Sequence, residues 1–287
     1  MKGRSPEAPI GIFDSGVGGL SVWRAVVERL PGEAVHYLAD RAHVPYGSRA
    51  PEQILSYCEG ITEHLLSQGC KAIVVACNTA SAVALQALRQ RWPQVPILGL
   101  EPAVKPAVAA TRSRVVGVMA TPATFQGELY RATVGQYGAG VTVVEQVCPG
   151  LADLVERGSW ESPEGVALIE SFLEPMLAAG ADTIVLGCTH YPFVIDTIRR
   201  LVGPTLEVID PAPAVARHLA RVLAARELLR PQPPPPGFEQ VQHRFFSTTA
   251  ADCFERDTLQ LLGRACPCEE RHWQQEHAAA ERRLVRL

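Results

Sequence analysis

Two cysteines stand out because each one ends an apolar segment and precedes a predicted helix. Cys77 follows Ile73–Ala76, and Cys188 follows Ile184–Gly187. Backbone amides and the helix dipole at such a position are expected to stabilise a thiolate. Inverting a stereocentre by proton transfer needs a base on one face of the carbon and an acid on the other, and a thiolate–thiol pair can supply both. The sequence therefore predicts that both cysteines are catalytic and transfer protons.

Two further groups are predicted to assist the cysteines by holding or exchanging protons with them. Asp14 ends the first apolar run, and His190 comes directly after Cys188-Thr189. A lone histidine in a loop of this kind is often only a donor at a helix start. Its position beside the cysteine favours the catalytic interpretation.

The chain contains an internal repeat. The segment Ile10–Ser15 resembles Val116–Thr121, and Ile73–Thr79 resembles Ile184–His190. Two similar halves related by pseudo-symmetry would bring both cysteine loops to one cleft. The alternative is that any two strand–helix units look alike.

Short runs rich in Ile and Val alternate with longer amphipathic stretches, which predicts an α/β fold with mostly parallel, doubly wound sheets. The predicted strands are Ile10–Asp14, Val35–Ala39, Ala72–Ala76, Ile97–Leu100, Val115–Ala120, Thr142–Val147, Thr183–Gly187, Leu206–Ile209 and His243–Thr248. The predicted helices include Gln53–Leu66, Ser81–Arg91, Val166–Ala179, Ala214–Leu229 and Ala250–Leu262. Loop residues at the carboxyl ends of the strands are then the natural ligand-binding positions.

Composition narrows the class of protein. The net charge is −3 and 20% of residues are charged, which argues against a nucleic-acid surface. No apolar run reaches the roughly 18 residues of a spanning helix, and the start of the chain lacks the apolar stretch of a signal peptide. The eight dispersed cysteines do not form a disulfide framework. We therefore expect a cytoplasmic enzyme without a membrane or nucleic-acid partner.

Two motifs invite other interpretations. The glycine turn between Asp14 and Ser21, with Asp40 further on, is typical of dinucleotide binding, but Ser21 replaces the third glycine and Asp14 would face the pyrophosphate. Cys266-Pro-Cys268 lacks the usual spacing of zinc ligands. We expect a small polar ligand at the turn, no cofactor and no metal.

Taken together, the motifs resemble those of bacterial glutamate racemases, from Ile10 to about Gly263. The matching segments are Gly11–Val22, Pro45–Gly47, Ala76–Ala80, Gly187–Pro192 and Ile209–Pro211. The resemblance implies two flavodoxin-like α/β domains, an acid/base pair of Cys77 and Cys188, and interconversion of L- and D-glutamate. D-Glutamate would supply peptidoglycan synthesis, and thus cell-wall biogenesis and cell shape.

The resemblance also implies the residues that contact the substrate. These are Asp14, Ser15, Tyr46, Gly47, Asn78, Thr79, Thr189 and His190, with Thr121 and Glu156 as further site positions. The expected partner is a small amino-acid substrate, and we expect a homodimer. Three other functions compete with this one. They are a racemase of another acidic amino acid, such as aspartate, on the same scaffold, a dinucleotide-dependent oxidoreductase, and a non-catalytic two-lobed binding protein.

The domain boundaries follow from the same resemblance. The second half should be inserted into the first, with residues 1–100 and 210–264 forming one domain and 101–209 the other. The proline-rich segment 230–237 is expected to be a stiff connector. The tail 265–287 is expected to be a helix, because its apolar residues share a helical stripe. They are Trp273, His277, Ala280, Leu284 and Leu287.

Overall fold

Two parallel β-sheets flanked by helices organise the chain. The structure is a computed structural model that describes residues 5–231, 241–275 and 282–285. The strands are β1 Ile10–Asp14, β2 Val35–Ala39, β3 Ala72–Val75, β4 Ile97–Gly99, β5 Val115–Ala120, β6 Thr142–Val147, β7 Thr183–Gly187, β8 Glu207–Ile209, β9 Arg244–Ser247, β10 Cys268–Glu270, β11 His272–Gln275 and β12 Arg282–Val285. The helices are α1 Leu20–Arg29, α2 Pro51–Ser67, α3 Asn78–Arg91, α4 Val104–Ala110, α5 Pro122–Gln126, α6 Glu128–Tyr137, α7 Leu151–Glu156, α8 Pro163–Ala178, α9 Ile195–Val202, α10 Ala212–Ala225 and α11 Ala251–Leu262. The predicted α/β class is confirmed.

The first sheet has the order β10-β9-β2-β1-β3-β4, and every neighbouring pair is parallel. All residues of β1 are buried, as expected for a strand covered on both faces. Ile10 and Ile12 contribute to the core on the side of α1 and α10, while Phe13 belongs to the core under α2 and α3. This alternation determines the face of the sheet on which the Asp14 side chain lies at the end of the strand.

The second sheet has the order β6-β5-β7-β8 and is also parallel throughout. One apolar core continues from α1 and α10, which flank the first sheet, to Met119 and Leu186 in strands of the second sheet. The opposite face of this sheet packs Val116 and Val185 against Val104 of α4. The shared core holds the two sheets side by side.

The chain crosses from the second sheet back to the first after β8. Helix α10 packs against α1, and β9 pairs with β2. The first sheet is therefore built from segments before residue 100 and after residue 243. Where one domain ends and the other begins remains a prediction.

The expected helical tail is wrong for the part of it that the structure describes. Strand β10 extends the first sheet beyond residue 264, and β11 and β12 form an antiparallel pair. Trp273 lies directly opposite Leu284 in this C-terminal strand pair, and both pack on the core under α2. Cross-strand pairing brings these two apolar side chains to one surface, which the sequence pattern suggested through helical spacing instead. The other residues of the stripe, His277, Ala280 and Leu287, lie outside the described residues, as does the connector from 232 to 237.

Within the described ranges, we find no helix with the length and apolar character needed to span a bilayer.

Candidate functional site

The carboxyl ends of strands from both sheets meet at one place. Asp14 ends β1 and Cys77 follows β3 in the first sheet, while Cys188 follows β7 in the second. The Thr189 hydroxyl donates to Asp14 Oδ2 at 3.4 Å, and Ser21 Oγ donates to the Thr189 carbonyl at 3.0 Å. These contacts bring both cysteine loops to one site, where α/β proteins bind their ligands.

The glycine turn receives side chains from the second half of the chain. The Val17 amide donates to Glu156 Oε1 at 2.8 Å. A Cβ on Gly16 would overlap the Glu156 carboxylate, and one on Gly18 would overlap the His190 ring. These two glycines therefore serve the close approach of an acid and an imidazole, which explains the turn without a dinucleotide.

The Asp40 carboxylate accepts several hydrogen bonds from other parts of the protein. Asp40 is fully buried, and its carboxylate accepts hydrogen bonds from Tyr46 Oη at 2.7 Å, Trp273 Nε1 at 2.8 Å and Thr248 Oγ1 at 2.9 Å. The ring of His43 lies 3.0 Å from its second oxygen. The role of a ribose-binding acid, which the dinucleotide interpretation requires, does not fit this environment.

Asp14 is held by the start of the glycine turn. Its carboxylate accepts the amides of Ser15 at 2.8 Å and Gly19 at 2.6 Å. Burial raises the pKa of Asp14, although the nearby His190 and the two amides act in the opposite direction. The side chain is thus held in place by two amides and is more easily protonated than a surface carboxylate.

Cys77 caps helix α3. The Ala80 amide donates to its sulfur at 3.4 Å, and the sulfur lies 3.9 Å from Ser15 Oγ. Burial raises the pKa of the Cys77 thiol well above its ordinary value, and the charge of Asp14 raises it further. Burial is the largest of these influences, so the amide at the helix start only partly offsets the rise in the pKa of the thiol.

Cys188 has the opposite electrostatic surroundings. Its sulfur lies 3.7 Å from His190 Nδ1, and His190 Nε2 lies 2.7 Å from Glu156 Oε1. Burial alone would lower the pKa of His190, but the hydrogen bonds to Cys188 and Glu156 raise it well above 6.5. Burial opposes ionisation of Glu156 as well, yet its pKa is lowered by His190 and the Val17 amide. These two shifts favour an imidazolium paired with a carboxylate, which would place positive charge beside Cys188.

The Glu156–His190 pair predicts a defined pH dependence of stability. His190 stabilises the fold fully below 6.5, its ordinary pKa, and this contribution is lost as the pH rises through the raised value. Glu156 contributes above 4.5, its ordinary pKa, and this is lost as the pH falls through the lowered value. Both contributions are complete between pH 4.5 and pH 6.5. In that window we expect Glu156→Gln to lower the free energy of unfolding most, by about 1–3 kcal/mol.

Urea unfolding at a series of pH values measures this difference. The gap between parent and Glu156→Gln should narrow steadily above pH 6.5. Glu52→Gln, on the exposed side of α2, serves as the control. A gap that does not change with pH would show that the ion pair is not the source of the stability.

Uncharged groups surround the remaining part of the site. Both polar atoms of the Asn78 side chain are buried and have no hydrogen-bond partner among the described residues. Thr79 Oγ1 lies 2.9 Å from Thr121 Oγ1, so this contact joins the two halves. A Cβ on Gly47 would stand 3.6 Å from Thr121, which places the Tyr46–Gly47 turn against the second half. The Tyr46 hydroxyl was expected to contact substrate, but it donates to Asp40.

A second ion pair beside the site has no signal in the sequence. Arg41 Nη2 lies 2.6 Å from Asp257 of α11, and Arg41 Nε lies 3.7 Å from Glu156 Oε2. Only the fold brings these three residues together, since they are far apart in the chain. The guanidinium adds positive charge on the side of Glu156 away from His190.

All eight cysteines are free thiols; Cys266 precedes β10 and Cys268 is the first residue of that strand. Among the described residues, no three or more His, Cys, Asp or Glu side chains form a group that could hold a metal ion.

The chain matches a known protein family. Residues 10–219 match the model of the Asp/Glu/hydantoin racemase family. The chain belongs to this family. A glutamate racemase of Ectopseudomonas mendocina (strain ymp) is 51% identical over 227 residues, which cover 79% of this chain and 86% of the relative. A glutamate racemase of Roseiflexus sp. (strain RS-1) is 50% identical over 222 residues, covering 77% and 82%.

Solved structures of the racemase family share the fold. The crystal structure of the glutamate racemase isoform RacE1 from Bacillus anthracis superposes with a TM-score of 0.81 at 31% identity, covering 92% of this chain and 97% of that one. The glutamate racemase of Francisella tularensis subsp. tularensis SCHU S4, in complex with D-glutamate, gives a TM-score of 0.78 at 26% identity with the same coverage. The expected family and fold are confirmed, and the protein is an isomerase of the racemase type.

Proposed function

We propose that the protein interconverts L- and D-glutamate by two-base proton transfer, with Cys77 and Cys188 on opposite faces of the α-carbon. The observation that carries this proposal is the position of the two thiols. They follow corresponding strands of the two sheets, in loops joined around Asp14, and are only 6% and 8% exposed. Removal of a proton by one thiolate and delivery by the other thiol inverts the centre.

The charged groups beside the thiols support different parts of this cycle. Burial and the charge of Asp14 favour the protonated form of Cys77, whereas the His190 ring, paired with Glu156, lies beside Cys188. An amino acid that brings its ammonium group near Asp14 adds a positive charge there. That charge favours the anionic form of Cys77, so that substrate binding itself would prepare the second base.

Substrate recognition is proposed to rest on neutral donors. The unpartnered Asn78 amide and the hydroxyls of Thr79, Thr189 and Ser15 can bind the two carboxylates, together with the first amides of α3. The names of the relatives favour glutamate over aspartate as the substrate. We infer that the product supplies peptidoglycan synthesis. The homodimer remains a prediction.

The test is incubation of the purified protein with L-glutamate alone, followed by chiral analysis. After dialysis against a chelator, we expect D-glutamate to accumulate until the two enantiomers are equal. L-Aspartate, offered in the same way, should react far more slowly. Absence of D-glutamate, or its formation only after a nicotinamide, flavin, pyridoxal or metal is added, would refute the proposal.

A further inference from the structure

The C-terminal strand pair reaches the edge of the site through one side chain. We propose that Trp273 is a positioning residue that holds the 40–47 loop, defined as residues 40 to 47, beside the substrate. This inference rests on the proposed function for its kinetic effect. The loop position itself can be measured without any substrate.

The link from Trp273 to the loop is direct. Trp273 Nε1 donates to Asp40 Oδ1 at 2.8 Å, and Asp40 Oδ2 accepts from Tyr46 Oη at 2.7 Å. The indole also packs against the rings of His43 and Tyr57, with centroids 5.5 and 5.6 Å away. Through the buried Asp40 carboxylate, the indole therefore fixes the first and the last part of the loop relative to each other.

The loop in turn touches the site. Gly47 lies against Thr121 of the second half, and Thr121 is hydrogen-bonded to Thr79 at the start of α3. Tyr46 is close enough to Cys77 for a thiolate there to raise the pKa of its phenol, after the larger effects of burial, Asp40 and Cys58. A displaced Tyr46 would thus change both the surroundings of Cys77 and the contact that the adjacent Gly47 makes with the second half.

The rest of the molecule anchors Trp273 firmly enough for this role. Leu284 lies opposite it in the strand pair and is buried against α2. The loop has a second anchor nearby, since Thr248 accepts the Ala42 amide at 2.9 Å and donates to Asp40. Trp273 lies beyond the segment 10–219 that matches the family model, so the family match does not assign it a role.

Trp273→Phe is the informative variant, because it keeps an aromatic ring and removes the N–H donor. One donor fewer on a buried carboxylate should loosen the loop and raise KM for both enantiomers about tenfold. The chemical groups are untouched, so kcat should change less than about threefold. Trp92→Phe, the same substitution at the end of α3 and away from the loop, is the matched control and should change neither constant.

Hydrogen exchange of the ligand-free protein separates this role from general stabilisation. Trp273→Phe should speed exchange in a peptide spanning residues 41–50 about tenfold, while a peptide covering β7 stays as in the parent. Trp92→Phe should leave both peptides unchanged. If the parent racemises no glutamate, the proposed function fails and the exchange result alone decides the positioning role.

Two results would overturn the inference. One is unchanged exchange in residues 41–50, whatever the melting temperature does. The other is a fall in kcat at constant KM in an active parent background, because that would place the effect on the chemistry and not on loop position.

Discussion

Cys77→Ala and Cys188→Ala are each expected to abolish racemisation in both directions. Every turnover in a two-base mechanism uses one cysteine as the base and the other as the acid, so both cysteines are required. We expect losses of at least about a thousandfold in kcat for L- and for D-glutamate alike. Chiral analysis of each variant with each enantiomer measures the loss. Cys253→Ala, a half-buried free thiol in α11, is the matched control and should keep nearly full activity.

The same two variants should retain a one-sided reaction. Each keeps one intact base, and elimination of a leaving group from a β-substituted amino acid needs only proton removal. We therefore expect each variant to process mainly one enantiomer of such an analogue, and the two variants to show opposite preferences. If one cysteine proves replaceable while the other is essential, a single base performs the reaction and the two-base proposal is wrong.

Lys71→Met is expected to cause the largest loss of stability. Lys71 Nζ lies 2.5 Å from Glu33 Oε2 and 2.6 Å from the Pro6 carbonyl, and both charged side chains are fully buried. Burial lowers the pKa of Lys71, and the bond to Glu33 opposes this effect. Removing the ammonium leaves Glu33 buried, with Arg230 Nε 3.9 Å from Oε2 and the Arg230 amide donating to Oε1 at 2.9 Å. We expect the free energy of unfolding in urea to fall by about 3–5 kcal/mol.

A double variant tests whether the unpaired charge causes the loss. Lys71→Met combined with Glu33→Met removes both charges and should recover part of the stability lost in the single variant. Arg200→Met, which breaks an exposed pair with Glu161, should change the midpoint of unfolding very little. A double variant less stable than Lys71→Met would show that packing, and not charge pairing, dominates at this position.

The strands could be predicted from sequence because their signals are local. The limits of β1, β2, β5, β6 and β7 agree with the predicted segments, since each is a short run rich in β-branched or other apolar residues and bounded by turn residues. The tail could not be predicted in the same way. Its few apolar residues fit a helical stripe, and only the pairing of Trp273 with Leu284 on the existing core decides for strands.

The candidate site shows the same division between local and distant information. The sequence placed Cys77, Cys188, Asp14 and His190 at strand ends, and the structure brings these side chains together. Their catalytic roles stay a prediction. The protonation of Cys77 depends on how deeply the fold buries it beside Asp14, and no sequence pattern reports burial of that kind.

The hydrogen-bond network around Asp40 could not be predicted from the sequence either. Its partners include Thr248 and Trp273, which are distant in the chain and become neighbours only when β9 and the C-terminal strand pair dock. The same network engages the Tyr46 hydroxyl, and whether Tyr46 contacts the substrate stays a prediction. Motifs identify which residues line a cleft, whereas tertiary hydrogen bonds decide which of their atoms remain available to a ligand.

Deuterium incorporation at the α-carbon tests the two-base mechanism most directly. L-Glutamate is supplied in D₂O and the reaction is stopped at low conversion, and mass spectrometry then reads the label separately in each enantiomer. With Cys77 and Cys188 on opposite faces, the D-glutamate formed should carry deuterium, while the remaining L-glutamate should carry almost none. The same pattern should hold in reverse from D-glutamate. Early label appearing equally in both enantiomers would contradict the mechanism, because it requires one group to remove and return the proton on either face.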